Sequence, residues 1–328
     1  MIEYRCFRNG DPPRLADVWR STDLGPCGFQ PMTSAWLESS VFSKPYFDRE
    51  GLIVAFDGDR TVGFAHAAFG PTADHSGIDT SIGTTMLVVV PPHDHHAAIG
   101  DGLLARCEAY LRQRGATTIM GGASQELGGF YLGLYGGSDL PGILDSSPGM
   151  KAVFQRAGYL EAARIAVMRR PLAGFRPPVG RSQLAIRRMT TVRAIDEPAR
   201  RNWWEAATTT GIALRRYELR DEAEVLIASA DFWDLRPQAT AWGVQATGLL
   251  RVDVEGGRRR QGLASFLLAE SLHDQAQEGV GLAEVHLSEV NEAAIKLFFK
   301  LGFEPTGHGT LYRKGESVSA SNADNVTR

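Results

Sequence analysis

Cysteine is scarce in this 328-residue chain: Cys6, Cys27 and Cys107 are an odd number at unrelated spacings. That excludes a disulfide framework and a C-x-x-C zinc or redox pair, and it suits a reducing, cytoplasmic setting. Long apolar runs are missing too. No stretch approaches the roughly 18 apolar residues of a membrane-spanning helix, and Met1 to Pro13 carries charge and proline where a secretory signal needs an apolar stretch. A charge excess is also absent. The formal net charge is -3, which offers no global field to nucleic acid or an anionic membrane, so any phosphate recognition has to be local. Nor does a G-x-G-x-x-G array follow the first strand of a domain, which sets a dinucleotide fold aside. Asn325-Val326-Thr327 spells a glycosylation acceptor, but without a secretory signal the match carries no weight.

What is present is an ordinary globular composition, 43% hydrophobic and 22% charged, on a chain long enough for two cores. The stretch Arg170 to Ser182 holds Pro171, Pro177, Pro178, Gly174 and Gly180, which break helices and strands alike. It reads as a linker and predicts four segments: residues 1–170, a linker at 171–182, a second unit at 183–314 and a polar tail at 315–328.

The two units share a register. Val90 and Val254, Leu104 and Leu268, and Gly115 and Gly279 are each 164 residues apart, which argues for duplication. Gly158 and Gly302 look equivalent yet differ by 144, so the first unit carries 20 extra residues between Gly115 and Gly158. Each unit reads as strand, loop, helix, strand, helix, an α/β arrangement with a mixed sheet. Met86 to Val90 and Leu249 to Val254 are the paired strands, Glu284 to Ser288 a later one and Ala294 to Leu301 a helix; Leu184 to Met189 is the expected first strand of the second unit. The extra segment, Gly128 to Asp139, is aromatic and glycine-rich and reads either as a binding loop or as a cover over a sheet edge.

Between strand and helix, the second unit has Val254-Glu255-Gly256-Gly257-Arg258-Arg259-Arg260-Gln261-Gly262-Leu263-Ala264. Glycines let main-chain N–H groups approach an anion, the helix start adds unpaired N–H groups, and the arginines add charge: a pyrophosphate site. Arg259-x-x-Gly262-x-Ala264 resembles motif A of the GNAT acetyltransferase superfamily. Asn291-x-x-Ala294-x-x-Leu297-Phe298-x-x-x-Gly302-Phe303 resembles its motif B.

The resemblance covers about Gln183 to Lys314 and implies two tandem GNAT-like domains, the arrangement of mycothiol synthase. It also implies that acetyl-CoA is the cosubstrate, held by Val252, Val254, Arg259, Arg260, Gln261, Gly262, Leu263, Ala264, Asn291 and Phe298, and that the acceptor is a small-molecule amine. A bulge near Arg251 to Val254 would present a main-chain N–H to the thioester oxygen. No metal is implied. In the first unit His95 replaces the arginine and Ala98 the first glycine, so His93-Asp94-His95-His96 reads as a degraded CoA loop rather than a metal site.

The proton-transfer residues of the family are not where the pattern puts them. Gly248 stands at the position of the glutamate base, and Phe298 at that of the tyrosine acid; the first unit has Thr84 and Phe154 there. Asp253 and Glu289 are the expected replacements, among Glu255, His286 and Ser288. Glu205 reads as a surface residue beside Trp203 and Trp204 rather than as an amine site. A silent acyl-CoA-binding or sensing protein is the alternative reading; a third places the chemistry in the first unit, at Tyr131 or Tyr135. Sequence leaves monomer or homodimer open.

Overall fold

The computed structural model describes residues 1–315; the expected tail lies outside the described residues beyond Gly315. The first half runs β1 (Ile2–Cys6), α1 (Pro12–Arg20), α2 (Ser34–Leu37), β2 (Leu52–Asp57), β3 (Arg60–Pro71), β4 (Ile78–Val89), α3 (His96–Gln113), β5 (Thr118–Gly121), β6 (Ile143–Leu144), α4 (Pro148–Arg156) and β7 (Tyr159–Pro171). The second runs α5 (Arg181–Met189), β8 (Thr190–Asp196), α6 (Trp203–Thr208), β9 (Leu214–Asp221), β10 (Leu226–Asp234), α7 (Arg236–Trp242), β11 (Ala246–Val254), α8 (Leu263–Gln277), β12 (Leu282–Ser288), α9 (Glu292–Lys300) and β13 (Glu304–Lys314).

One mixed sheet joins the halves, in the order β1-β2-β3-β4-β5-β13-β7-β12-β11-β10-β9-β8, with β6 beside β13. The last strands are exchanged. β7, from the first half, pairs over Ile165 to Pro171 with β12 of the second, while β13, from the second, pairs with β5 of the first. Alternation along the strand explains how one strand serves both cores. Val167 of β7 packs into the first core, Ala166 and Met168 into the second, and Tyr312 of β13 stacks on Phe154 in the first at 5.7 Å.

The 164-residue offset holds in space. Ile82 to Thr85 of β4 pair in parallel with Thr118 to Gly121 of β5, and Ala246 to Leu249 of β11 pair with Leu282 to Val285 of β12, each 164 positions later. The extra residues of the first half therefore follow Gly121. They are buried: Phe130, Tyr131 and Tyr135 are at most 3% exposed. The segment covers no bare edge, because β13 already occupies the edge of β5.

The expected strand at Leu184–Met189 is instead helix α5, and the first strand of the second half is β8. Leu184 and Ile186 alternate as in a strand, but Leu, Ala, Gln, Arg and Met favour the helix, whereas Thr190-Thr191-Val192 brings the β-branched residues a strand prefers. Arg187 ties α5 to Glu270 on α8.

Candidate acyl-CoA site

The loop after β11 leaves main-chain N–H groups and two arginines open. Gly256 to Arg258 form a single tight turn, Arg260 (φ 62°) and Gly262 (φ 84°) then turn left-handed, and Gly262 caps α8. Arg259 before them is extended, so the chain turns sharply into α8, whose first N–H groups are left open at the helix start. Among the described residues, the N–H groups of Arg259 to Ser265 have no hydrogen-bond partner. Arg258 is held by Asp221 at 3.1 Å, whereas Arg259 and Arg260, both exposed, have no acidic partner among the described residues.

The corresponding loop of the first half lacks this shape. No residue from Val90 to Ala98 has a positive φ. The N–H of His95 is taken by His93 Nδ1 at 3.0 Å, and that of His96 by the His93 carbonyl at 3.0 Å. Gly100 serves packing instead, since a Cβ there would lie 2.7 Å from Val153. His93 sits 3.6 Å from Asp57. Among the described residues, no three His, Cys, Asp or Glu side chains gather as metal ligands.

Beside the second loop the sheet opens. Beyond Leu249 and Val285, β11 continues with β10 alone on its other side and β12 continues with β7. The main-chain edges of Leu250 to Val254 and of His286 to Ser288 thus face a wedge rather than a strand. Val252 and Val254 turn their side chains into the core under α8. The bulge lies earlier than the sequence led us to expect, at Leu250: Asp231 pairs with Arg251 and Phe232 with Leu249, leaving Leu250 out of the ladder. A bulge moves with the ladder register, which the strand's own residues do not spell. Met86 is bulged likewise in β4, where 164 positions again separate the two.

In the first half the wedge is shut. Gly122 N–H donates to the Thr85 carbonyl at 2.9 Å, Thr84 Oγ1 donates to the Gly122 carbonyl at 2.6 Å, and Met86 to Val90 are buried. Gly128 of the extra segment presses on Met86, where a Cβ would meet the sulfur at 2.7 Å. Tyr131 and Tyr135 are not open to a ligand. Tyr131 bonds His66 Nδ1 at 2.9 Å, and Tyr135 donates to Ser147 at 3.1 Å while accepting from Leu144 N–H at 3.0 Å. Burial pushes the Tyr131 hydroxyl far up and pulls His66 down to about 3.

The extra segment crosses to the second half. Trp233 Nε1 donates to the Ser138 carbonyl at 2.9 Å, and Gln238 to the Gly133 carbonyl at 3.0 Å. Ser138 also explains Gly248. A Cβ at 248 would lie 2.6 Å from Ser138 Cβ and 2.7 Å from Trp233 Nε1, so no glutamate has room there.

The position opposite Gly248 on β12 is Glu284, fully buried. Its carboxylate accepts from Arg169 Nε at 2.6 Å, from Ser138 N–H at 2.6 Å and contacts His286 Nε2 at 3.2 Å. Burial raises this carboxyl, but the His286 hydrogen bond, the charges of His286 and Arg169 and the Ser138 N–H outweigh it, leaving it below its ordinary value. Sequence reasoning missed Glu284. The signal was available: a lone carboxylate inside the apolar strand Leu282-Ala-Glu-Val-His-Leu needs a buried partner.

Asp253 and Glu289 are not brought together. Asp253, 55% exposed, pairs with Arg201 at 2.7 Å; Glu289 pairs with Arg164 and His308, each at 3.4 Å. Phe298 is in the core, edge to face with Phe303 at 5.1 Å, and Asn291 caps α9 by accepting from Ala294 N–H at 3.1 Å. Glu205 is buried, taking the Arg201 N–H at 2.6 Å and Arg251 at 3.1 Å. It borders a narrow cleft of about 70 Å³ between the halves, walled by Leu250 and Arg251 from the bulge and by Gly129, Leu132 and Leu140 from the extra segment.

Residues 183–303 match the acetyltransferase (GNAT) family model. This segment is a GNAT domain. No protein of curated function matches the chain. Among solved structures the fold is similar over 97% of this chain and 100% of the other to a tandem GNAT protein from the clavulanic acid biosynthesis pathway, at 16% identity and a TM-score of 0.63. It is similar over 95% of both chains to a GCN5-related N-acetyltransferase from Sphaerobacter thermophilus, at 14% identity and TM-score 0.63. A glucosamine N-acetyltransferase region of a fungal multi-domain GH3 β-N-acetylglucosaminidase gives TM-score 0.70 at 17% identity, with 95% of this chain covered. The chain spans 38% of that longer protein. These likenesses describe the fold, a tandem GNAT arrangement. Among the described residues, no helix is long and apolar enough to cross a membrane.

Proposed function

We propose that this chain is an N-acetyltransferase that moves the acetyl group of acetyl-CoA to a primary amine of a small molecule, with CoA held by the second half. In this reading residues 1–170 and 183–314 are two GNAT units that exchange their last strands, and the first is a support. The observation that carries the proposal is the Arg259 to Ala264 loop, whose left-handed Arg260 and Gly262 lead into α8 and leave its first N–H groups free beside an open wedge. The pyrophosphate rests there, with Arg259 and Arg260 as its counterions, and the pantetheine arm hydrogen-bonds the free edge of Val252 to Val254. The thioester then lies at the Leu250 bulge, where a main-chain N–H stabilises the developing oxyanion. A slender amine suits the cleft at Leu250 and Arg251.

One observation favours the alternative, an acyl-CoA binder without turnover: Ser138 and Trp233 fill the space a glutamate at 248 would need. A thiol-release assay with acetyl-CoA over a panel of primary amines separates the two. Acetyl transfer to at least one amine is expected, and binding without turnover on any supports the silent binder. Arg259→Glu is expected to remove the thermal stabilisation that acetyl-CoA gives the wild type, since it sets a carboxylate against the phosphates. Unchanged stabilisation would move the site elsewhere.

A further inference from the structure

Glu284, His286 and Ser288 are the polar residues of β12 that share a face with Gly248, and Glu284 and His286 stand nearest to it. The pairing of β11 with β12 ends at Leu249 and Val285, so His286 stands at the first position of the open wedge, across from the bulged Leu250. Its side chain is 2% exposed and its Nε2 lies 3.2 Å from Glu284 Oε1. A carboxylate on Nε2 places the ring proton there and leaves Nδ1 as a lone-pair acceptor. Nδ1 is buried and has no hydrogen-bond partner among the described residues. Such an atom is costly to keep unless something uses it.

The carboxylate that orients the ring is itself fixed by two groups of the first half. Arg169 on β7 bonds Glu284 and stacks on Trp242 at 3.9 Å, while Ser138 N–H comes from the extra segment. Next to Ser138, burial raises the carboxyl of Asp139 against the opposing effect of nearby His286, and Leu140 beside it lines the cleft that ends on Leu250. Asp253 and Glu289, by contrast, face solvent in ion pairs with arginine.

Resting on the acetyltransferase reading above, we infer that His286 is the general base of the second half and Glu284 its positioning residue, a dyad on β12 in place of a carboxylate at 248. His286 Nδ1 accepts a proton from the incoming ammonium and passes it to solvent. The freed nitrogen lone pair attacks the thioester carbonyl, the C–N bond forms, the C–S bond breaks, and the second amine proton ends on the CoA thiolate as free thiol. Solvent takes the one proton released, and the step needs no oxidant or reductant.

The test is His286→Gln, assayed for thiol release with an alkylamine and with a weakly basic amine that is neutral at pH 7, alongside acetyl-CoA affinity. The expected result is unchanged affinity and a fall in kcat for the alkylamine of about 100-fold or more at pH 7. The fall should shrink as the pH approaches the amine's own pKa, and the neutral amine should lose far less. Glu284→Gln should give a smaller loss with the same pH trend, and it decides the matter if Gln at 286 prevents folding. A wild-type rate in His286→Gln, or an equal loss for both amines at every pH, overturns the dyad while leaving the transferase intact. A wild type that releases no thiol with any amine overturns both.

Discussion

An ideal Cβ at Gly248 is already 2.6 Å from Ser138, so Gly248→Glu, which restores the carboxylate of the family pattern, overfills the contact between the halves. Overpacking of this kind costs about 1–3 kcal/mol. The variant should unfold at lower denaturant with no gain in turnover, and Ser138→Gly in the same chain should recover part of the loss; chemical denaturation of the two variants checks it. A stable Gly248→Glu with raised kcat would show that the space is free. At this scale the sequence told half the story. It showed that the glutamate was missing, because a motif position can be counted from Val254. It did not show what filled the gap, because Ser138 lies 110 positions away and no local pattern announces a contact across a domain boundary. Glu284 was hidden for the same reason, since its partners Arg169 and Ser138 come from two other segments.

The strands that matter most for the assembly are β7 and β13. Neither is among the strands read from the sequence, and alternation in any case fixes which residues share a face and not which strand lies alongside. Their exchange is therefore a tertiary fact, whereas the 164-residue repeat, carried by the sequence itself, survives down to the register of β4–β5 and β11–β12. The α5 error has a similar source: two alternating apolar residues are too few to outweigh helix-forming neighbours. Because of the exchange, fragment 1–182 lacks β13 and keeps β7 without β12, and fragment 183–328 lacks β7. Neither is expected to fold alone, and both together should form a 1:1 complex with the secondary structure of the intact chain. Circular dichroism and size-exclusion chromatography of the separate and co-expressed fragments test this; a fragment 183–328 that is monomeric, folded and binds acetyl-CoA would contradict it.

At the scale of the molecule, the two halves share a register 164 residues apart and differ in whether the wedge between the central strands is open. Hydrogen bonds from Gly122 and Thr84 close it in the first half, and the segment after Gly121 fills the space above it. In the second half the wedge is open, the loop beside it offers unpaired N–H groups, and the first half's inserted segment forms part of the cleft wall. In the proposed function the first half is a partner in the site rather than a second site. Isothermal titration of the intact chain with acetyl-CoA puts this to the most direct test. A stoichiometry of one per chain that vanishes in Arg259→Glu is the predicted result; two sites, none, or one that survives that substitution would contradict it.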